Sequence, residues 1–171
     1  MRVGGCRRSL NAVVLGCALV LGACGPRLDV KHDYDPGADF SAVHSFSWLG
    51  IESSRVLNEF DVKRVEAALR SELGRKGLEE RTKGDVYVAA YLGVHPKADT
   101  EWEHSKGLYW TEQKTKSHEG MLVVDVIDPA SGKPIWRGRA TAMLQKGTSP
   151  EQRSRNIARV VQKILAGFPP R

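Results

Sequence analysis

Cysteine is scarce in this chain, and the position of its three copies excludes more chemistry than it permits. Cys6 and Cys17 fall in the first two dozen residues, and none follows Cys24. A disulfide framework, a thiolate zinc site and a cysteine nucleophile are therefore absent from the body of the protein. Aromatic residues are also few, at 7%. No apolar run approaches the roughly 20 residues needed to cross a bilayer. The longest, Ala12–Leu21, spans 10. His32, His44, His95, His104 and His118 show neither H-x-x-x-H nor H-E-x-x-H spacing. A G-x-S-x-G elbow and a glycine-rich loop leading from strand into helix are missing as well. The usual signatures of nucleophilic, phosphoryl-transfer and zinc-dependent catalysis are thus lacking, as are internal repeats and low-complexity tracts.

What is present begins at the N-terminus. Arg2, Arg7 and Arg8 precede the short apolar run, which leads into Leu21-Gly22-Ala23-Cys24. This is the pattern of a bacterial lipobox. Small side chains flank the Ala23–Cys24 bond that a signal peptidase would cut, and the Cys24 thiol would take a thioether-linked diacylglycerol. The expected organisation is a signal peptide over 1–23, removed on maturation, a lipidated leader over 24–27 and a single α+β domain over 28–171. Cys6 and Cys17 would leave with the signal. Loss of its three arginines would lower the net charge from +6 to +3, which weakens the electrostatic case for nucleic acid. One acyl chain binds a membrane marginally, whereas two or more hold stably. The expected partner is therefore the membrane itself, through the N-terminal lipid. Gly25, where enterobacterial sorting would read Asp as an inner-membrane signal, favours the periplasmic face of the outer membrane.

Alternating apolar positions predict a strand over Leu28–Tyr34, ended by Asp35-Pro36-Gly37, and a short second strand through Phe46 and Trp48 closed by Gly50. Asn58 is placed to cap a helix running to Lys76, with Leu57, Phe60, Val65, Leu69 and Leu73 on one stripe and Gly77 at its end. Val86–Val94 reads as a central strand stopped by Pro96. A polar hairpin excursion over 97–117 follows, its tip near Ser105-Lys106-Gly107. Met121–Ile127 and Ile135–Leu144 read as an antiparallel pair joined by turn residues. Ser149-Pro150-Glu151-Gln152 has the form of a capping box, and Ile157, Val160, Val161, Ile164, Leu165 and Phe168 form an apolar stripe. The expected fold is α+β: a mostly antiparallel sheet of about five strands, with two amphipathic helices packed on one face.

Asp33-Tyr34-Asp35-Pro36, Ala38-Asp39-Phe40 and Phe46-Ser47-Trp48-Leu49 follow the lipobox. Lys76-Gly77-Leu78, Asp85-Val86, Asp128, Ser131-Gly132-Lys133 and Trp136-Arg137-Gly138 come later in that order. In this order the motifs resemble a family of bacterial envelope lipoproteins, catalogued as domain of unknown function forty-one thirty-six. The resemblance covers nearly all of the chain after the lipid site. It implies an envelope setting and an α+β fold, and it brings no reaction with it. The tryptophans of the 97–117 excursion are a departure.

The residues singled out for function are few. Asp125 and Asp128 have the look of paired carboxylates, but a strand's solvent face and a turn start account for them. Trp102, Tyr109 and Trp110 stand in a polar loop and are candidates for partner contact, the alternative being a cap on the sheet end. Arg155 and Arg159, with Arg153 and Lys163, form a basic stripe suited to an anionic surface, or simply a solvated helix face. The leading expectation is a lipid-anchored, periplasm-facing binding or structural module without catalysis, metal or cofactor. Its partner would be another envelope protein or an anionic envelope polymer, and no nucleic acid. One alternative is a metal-dependent or hydrolytic envelope enzyme built from His95, His104 and His118 with Asp125 or Asp128. The other is a small-ligand carrier using a groove between sheet and helices.

Overall fold

A computed structural model describes residues 28–54, 58–104, 110–144 and 147–170, with side chains described outside 96–104 and 110–117. The lipobox, Cys24, Leu57, Tyr109 and the excursion tip lie outside the described residues, as do the side chains of Trp102 and Trp110. The element order is β1 (Leu28–Tyr34), a 3-10 turn (Phe40–Ala42), β2 (Ser45–Ser53), α1 (Glu59–Arg75), β3 (Glu79–Glu80), β4 (Val86–His104), β5 (Trp110–Ile127), β6 (Pro134–Met143) and α2 (Pro150–Leu165).

The strands form one sheet in the order β1-β6-β5-β4-β2-β3. It has six strands rather than about five, and it is mixed rather than mostly antiparallel in one respect: β2 runs parallel to both β4 and β3. The reason is connectivity. α1 lies between β2 and the strands beside it, so the chain crosses over a helix and returns in the same direction. β3 escapes a sequence reading because it is two exposed glutamates with no alternation. Arg70 of α1 holds it in place, donating to Glu80 at 2.9 and 3.0 Å while also pairing with Glu66.

Two predicted strand ends do not end strands. Gly50 takes φ 115° at a break in the β2–β4 register, and β2 continues to Ser53. A residue without Cβ accepts that backbone, so the glycine re-aligns the strand instead of closing it. Pro96 does not stop β4, which runs on to His104 paired with β5. Beyond Leu92 β2 no longer pairs with β4, leaving an edge where a residue lacking N–H is tolerated.

Both helices pack on the same face of the sheet. Phe46, Val86, Val88, Leu122, Val124, Val126 and Trp136 meet Val65, Leu69 and Leu73 of α1 and Val161, Ile164 and Leu165 of α2, all buried in one core. The caps follow the sequence. Asn58 accepts from the Phe60 N–H at 2.9 Å, and Ser149 from that of Gln152 at 3.3 Å. Gly77 adopts φ 87° while the Leu78 N–H donates to the Leu73 carbonyl at 3.1 Å, the Schellman pattern. Phe60, expected on the buried stripe, is 64% exposed. The face of α1 that meets the sheet is set by Val65, Leu69 and Leu73, and Phe60 in the first turn lies off it.

The late hairpin motif is structural. The Trp136 ring is buried, and its Nε1–H donates to the Gly167 carbonyl at 3.1 Å. A Cβ on Gly138 would lie 2.4 Å from Trp136 Cη2 and 2.5 Å from Ile164 Cγ2, so glycine there lets α2 seat directly on β6. On the opposite face Arg137 grips Asp125 with two hydrogen bonds of 2.6 Å.

Candidate functional site

At the opposite end from Trp136 the two layers separate. The rungs Leu28–Ala142, Ala142–Gly120 and Gly120–Val94 run straight across β1, β6, β5 and β4. Here the sheet presents small residues, Gly120, Ala140 and Ala142, where the other end presents Trp136 and valines. Small side chains leave α2 unsupported, and a groove of about 330 Å³ opens between sheet and helices. Leu28, Leu92 and Leu122 lie along its floor, and Val65, Ile157 and Val160 line it from the helices. Volumes of roughly 300–1,000 Å³ with apolar walls are usual for small-molecule sites.

The degree of burial along α2 records the same opening. Val161, Ile164 and Leu165 are buried, whereas Ile157 and Val160, on the same stripe, remain partly exposed because they face the groove. Polar groups gather at its rim. Asp61 accepts from Arg64 at 2.7 Å and from Arg153 at 3.2 Å, tying α1 to α2, and Arg153 Nε reaches Thr148 Oγ1 at 3.3 Å. Arg159 also borders the groove. With Arg153 and Arg159 against Asp61, the charged groups lining the groove carry a net positive charge. Arg153 is thus engaged between helices and is not part of a free basic stripe. Arg155 and Arg159 are exposed as expected, with Arg155 donating to Gln152 at 3.3 Å.

From the Pro96–His118 rung onward the arms of β4 and β5 continue as a two-stranded ribbon, β6 having last paired at Glu119–Met143. Nine residues per arm at about 3.3 Å each give the ribbon a length of roughly 30 Å. Trp102 stands opposite Glu112 in this ribbon, and Trp110 opposite His104.

The residues of the metal or hydrolytic alternative do not assemble. His95 pairs with Glu119 and His118 with Pro96 at the ribbon's base, while His104 lies nine residues further along β4, roughly 30 Å away in an extended strand. Asp125 is held by Arg137, and Asp128 accepts from the Ser131 N–H at 2.9 Å and the Ala130 N–H at 3.3 Å in its turn. The Ser131 hydroxyl, followed by these two backbone bonds, holds the Asp128 pKa below its ordinary value. His32 Nε2 donates to the Ile164 carbonyl at 2.7 Å, its ring 5.7 Å from that of Trp136. Among the described residues no group of three or more His, Cys, Asp or Glu side chains is placed to hold a metal ion.

Gly120 and Ala142 are groove residues that the sequence did not single out. Their signal, small residues at matching positions of β5 and β6, becomes visible only once the register is known.

This architecture, a six-stranded mixed sheet with two helices on one face and a groove at one end, defines an α+β domain. The chain matches the family described as "Domain of unknown function (DUF4136)" over residues 30–170, and it belongs to that family. No curated protein is significantly similar in sequence. Among solved structures, the PelC dodecamer from Paraburkholderia phytofirmans is similar in fold. It is 11% identical with a TM-score of 0.54, over 85% of this chain and 99% of that one. A PDZ domain protein from Parabacteroides distasonis is 13% identical with a TM-score of 0.55, over 85% of this chain and 37% of that one. At such identities the likeness is one of fold. Among the described residues no helix is long and apolar enough to cross a membrane.

Proposed function

We propose that this protein is a lipid-anchored envelope lipoprotein that acts by binding rather than catalysis, and that it works at the periplasmic face of the outer membrane. The observation that carries this reading is the convergence of three features at one end of the sheet. The leader joins at Leu28, the groove opens beside it, and the aromatic ribbon departs two rungs beyond that row. The lipobox supplies the tether, and Gly25 favours the outer membrane.

The recognition surface is the ribbon bearing Trp102 and Trp110 together with the exposed Arg155 and Arg159 of α2. Aromatic side chains contribute large contact areas at low entropic cost, and the arginines suit an acidic partner. The partner is another envelope protein with an acidic surface. The dodecameric state named for the Paraburkholderia protein makes a second copy of this chain one outcome to look for.

Crosslinking in intact cells tests the reading. Trp102→Ala with Trp110→Ala is expected to leave expression and folding unchanged while removing the captured partner. An unchanged set of crosslinked proteins would refute the assignment of this surface.

A further inference from the structure

The groove lies where the chain's own lipid would arrive. Leu28 is both a groove residue and the first residue of β1, and Cys24 precedes it by four positions. A chain extends at most about 3.3–3.6 Å per residue, so the Cys24 backbone lies within roughly 14 Å of the groove wall. We propose that the groove takes up a fatty acyl chain carried by Cys24 of the same molecule. The proposal rests on the lipoprotein reading above and adds to it a site for the lipid.

Three observations support this occupant over a polar one. The sheet side is apolar throughout, with Leu122 and Ala140 buried in it, and the polar lining side chains Asp61, Thr148, Arg153, Asn156 and Arg159 all come from the helices and the turn before α2. An acyl chain has the same distribution, apolar along its length and polar only at its attachment. The part-buried Ile157 and Val160 are what the stripe of α2 leaves over when the sheet beneath is too small to cover it, and a methylene chain would complete their burial. Finally, a leader of four residues holds the lipid beside the groove at an effective concentration in the millimolar range, so even a weak apolar contact is populated. An acyl chain seated here leaves fewer chains in the bilayer, which couples the strength of anchoring to the state of the groove.

The test uses the full mature protein. Cells are fed a fatty acid bearing a photoreactive diazirine, and the protein is extracted in mild detergent and irradiated. Intact mass then reports acylation of Cys24, and peptide mapping reports where the lipid has crosslinked. The expected result is an acylated Cys24 whose chain is crosslinked to peptides of α2 or of β5 and β6 within the same molecule. Substitution Ala142→Phe from the sheet side, or Val160→Trp from the helix side, should reduce that crosslink at least several-fold with acylation unchanged. Mixing isotopically heavy and light protein separates contacts within one molecule from contacts between two. An acylated Cys24 that crosslinks only to detergent, to bulk lipid or to a second copy overturns the groove proposal and leaves the anchor intact. An unacylated Cys24 overturns both, and the intact mass distinguishes the two failures.

Discussion

The Asp85 carboxylate accepts from the His44 N–H at 3.0 Å and from the Ser45 N–H and Oγ–H at 2.8 Å each. The Ser45 hydroxyl, followed by the His44 amide, holds its pKa below the ordinary 3.8. A side chain before β4 thereby fixes the start of β2, which explains an Asp-Val pair with no chemistry of its own. Because the folded pKa is depressed, the stabilisation is present above the unfolded value, near 3.9, and is lost as pH falls through the folded one. Asp85→Asn should therefore lower stability at neutral pH and flatten its decline between about pH 5 and 2. Urea denaturation of both proteins across that range checks this. Asp39 and Asp128, similarly held by local donors, titrate in both proteins, so the difference between the curves isolates Asp85. Parallel curves would show that its hydrogen bonds contribute nothing to the pH dependence.

Along α2, neighbouring valines occupy different environments. Val161 is fully buried, whereas Val160 borders the groove. Truncating a buried valine removes two methyl groups at about 0.8 kcal/mol each and leaves a cavity. Val161→Ala should thus cost about 2 kcal/mol, and Val160→Ala less than half of that. Denaturant midpoints of the two variants decide it, since helix propensity changes equally in both. Equal losses would mean that the groove is closed in solution. The periodicity of this helix was legible because Ser149, Pro150 and the stripe from Ile157 to Phe168 agree on one register. It carried no sign that the stripe is half covered, since a hydrophobic position is the same letter whether it faces a core or a void.

At the scale of the whole molecule, the ribbon is expected to be separable from the fold. Among the residues whose side chains are described, the buried ones of β4 lie between Val86 and Gly93, and those of β5 between Leu122 and Val126. The 97–117 segment begins where Pro96 pairs with His118. Replacing 97–117 by a two-residue Asn-Gly turn should yield a protein with an unchanged urea midpoint that has lost the ribbon's binding surface. A large fall in the midpoint, followed by circular dichroism, would show instead that the ribbon packs against the body. The order of the elements other than β3, both helices and their caps, and the late hairpin could be read from local pattern, because each is decided by residues within about one turn or one strand of each other. The sequence by itself also determined the lipobox and the absence of catalytic spacing. Tertiary structure alone decided the parallel placement of β2, the short edge strand β3 and the groove. Each of these depends on which distant segments lie side by side. The groove in particular exists because Gly120, Ala140 and Ala142, unremarkable in their own strands, come into register beneath one end of α2.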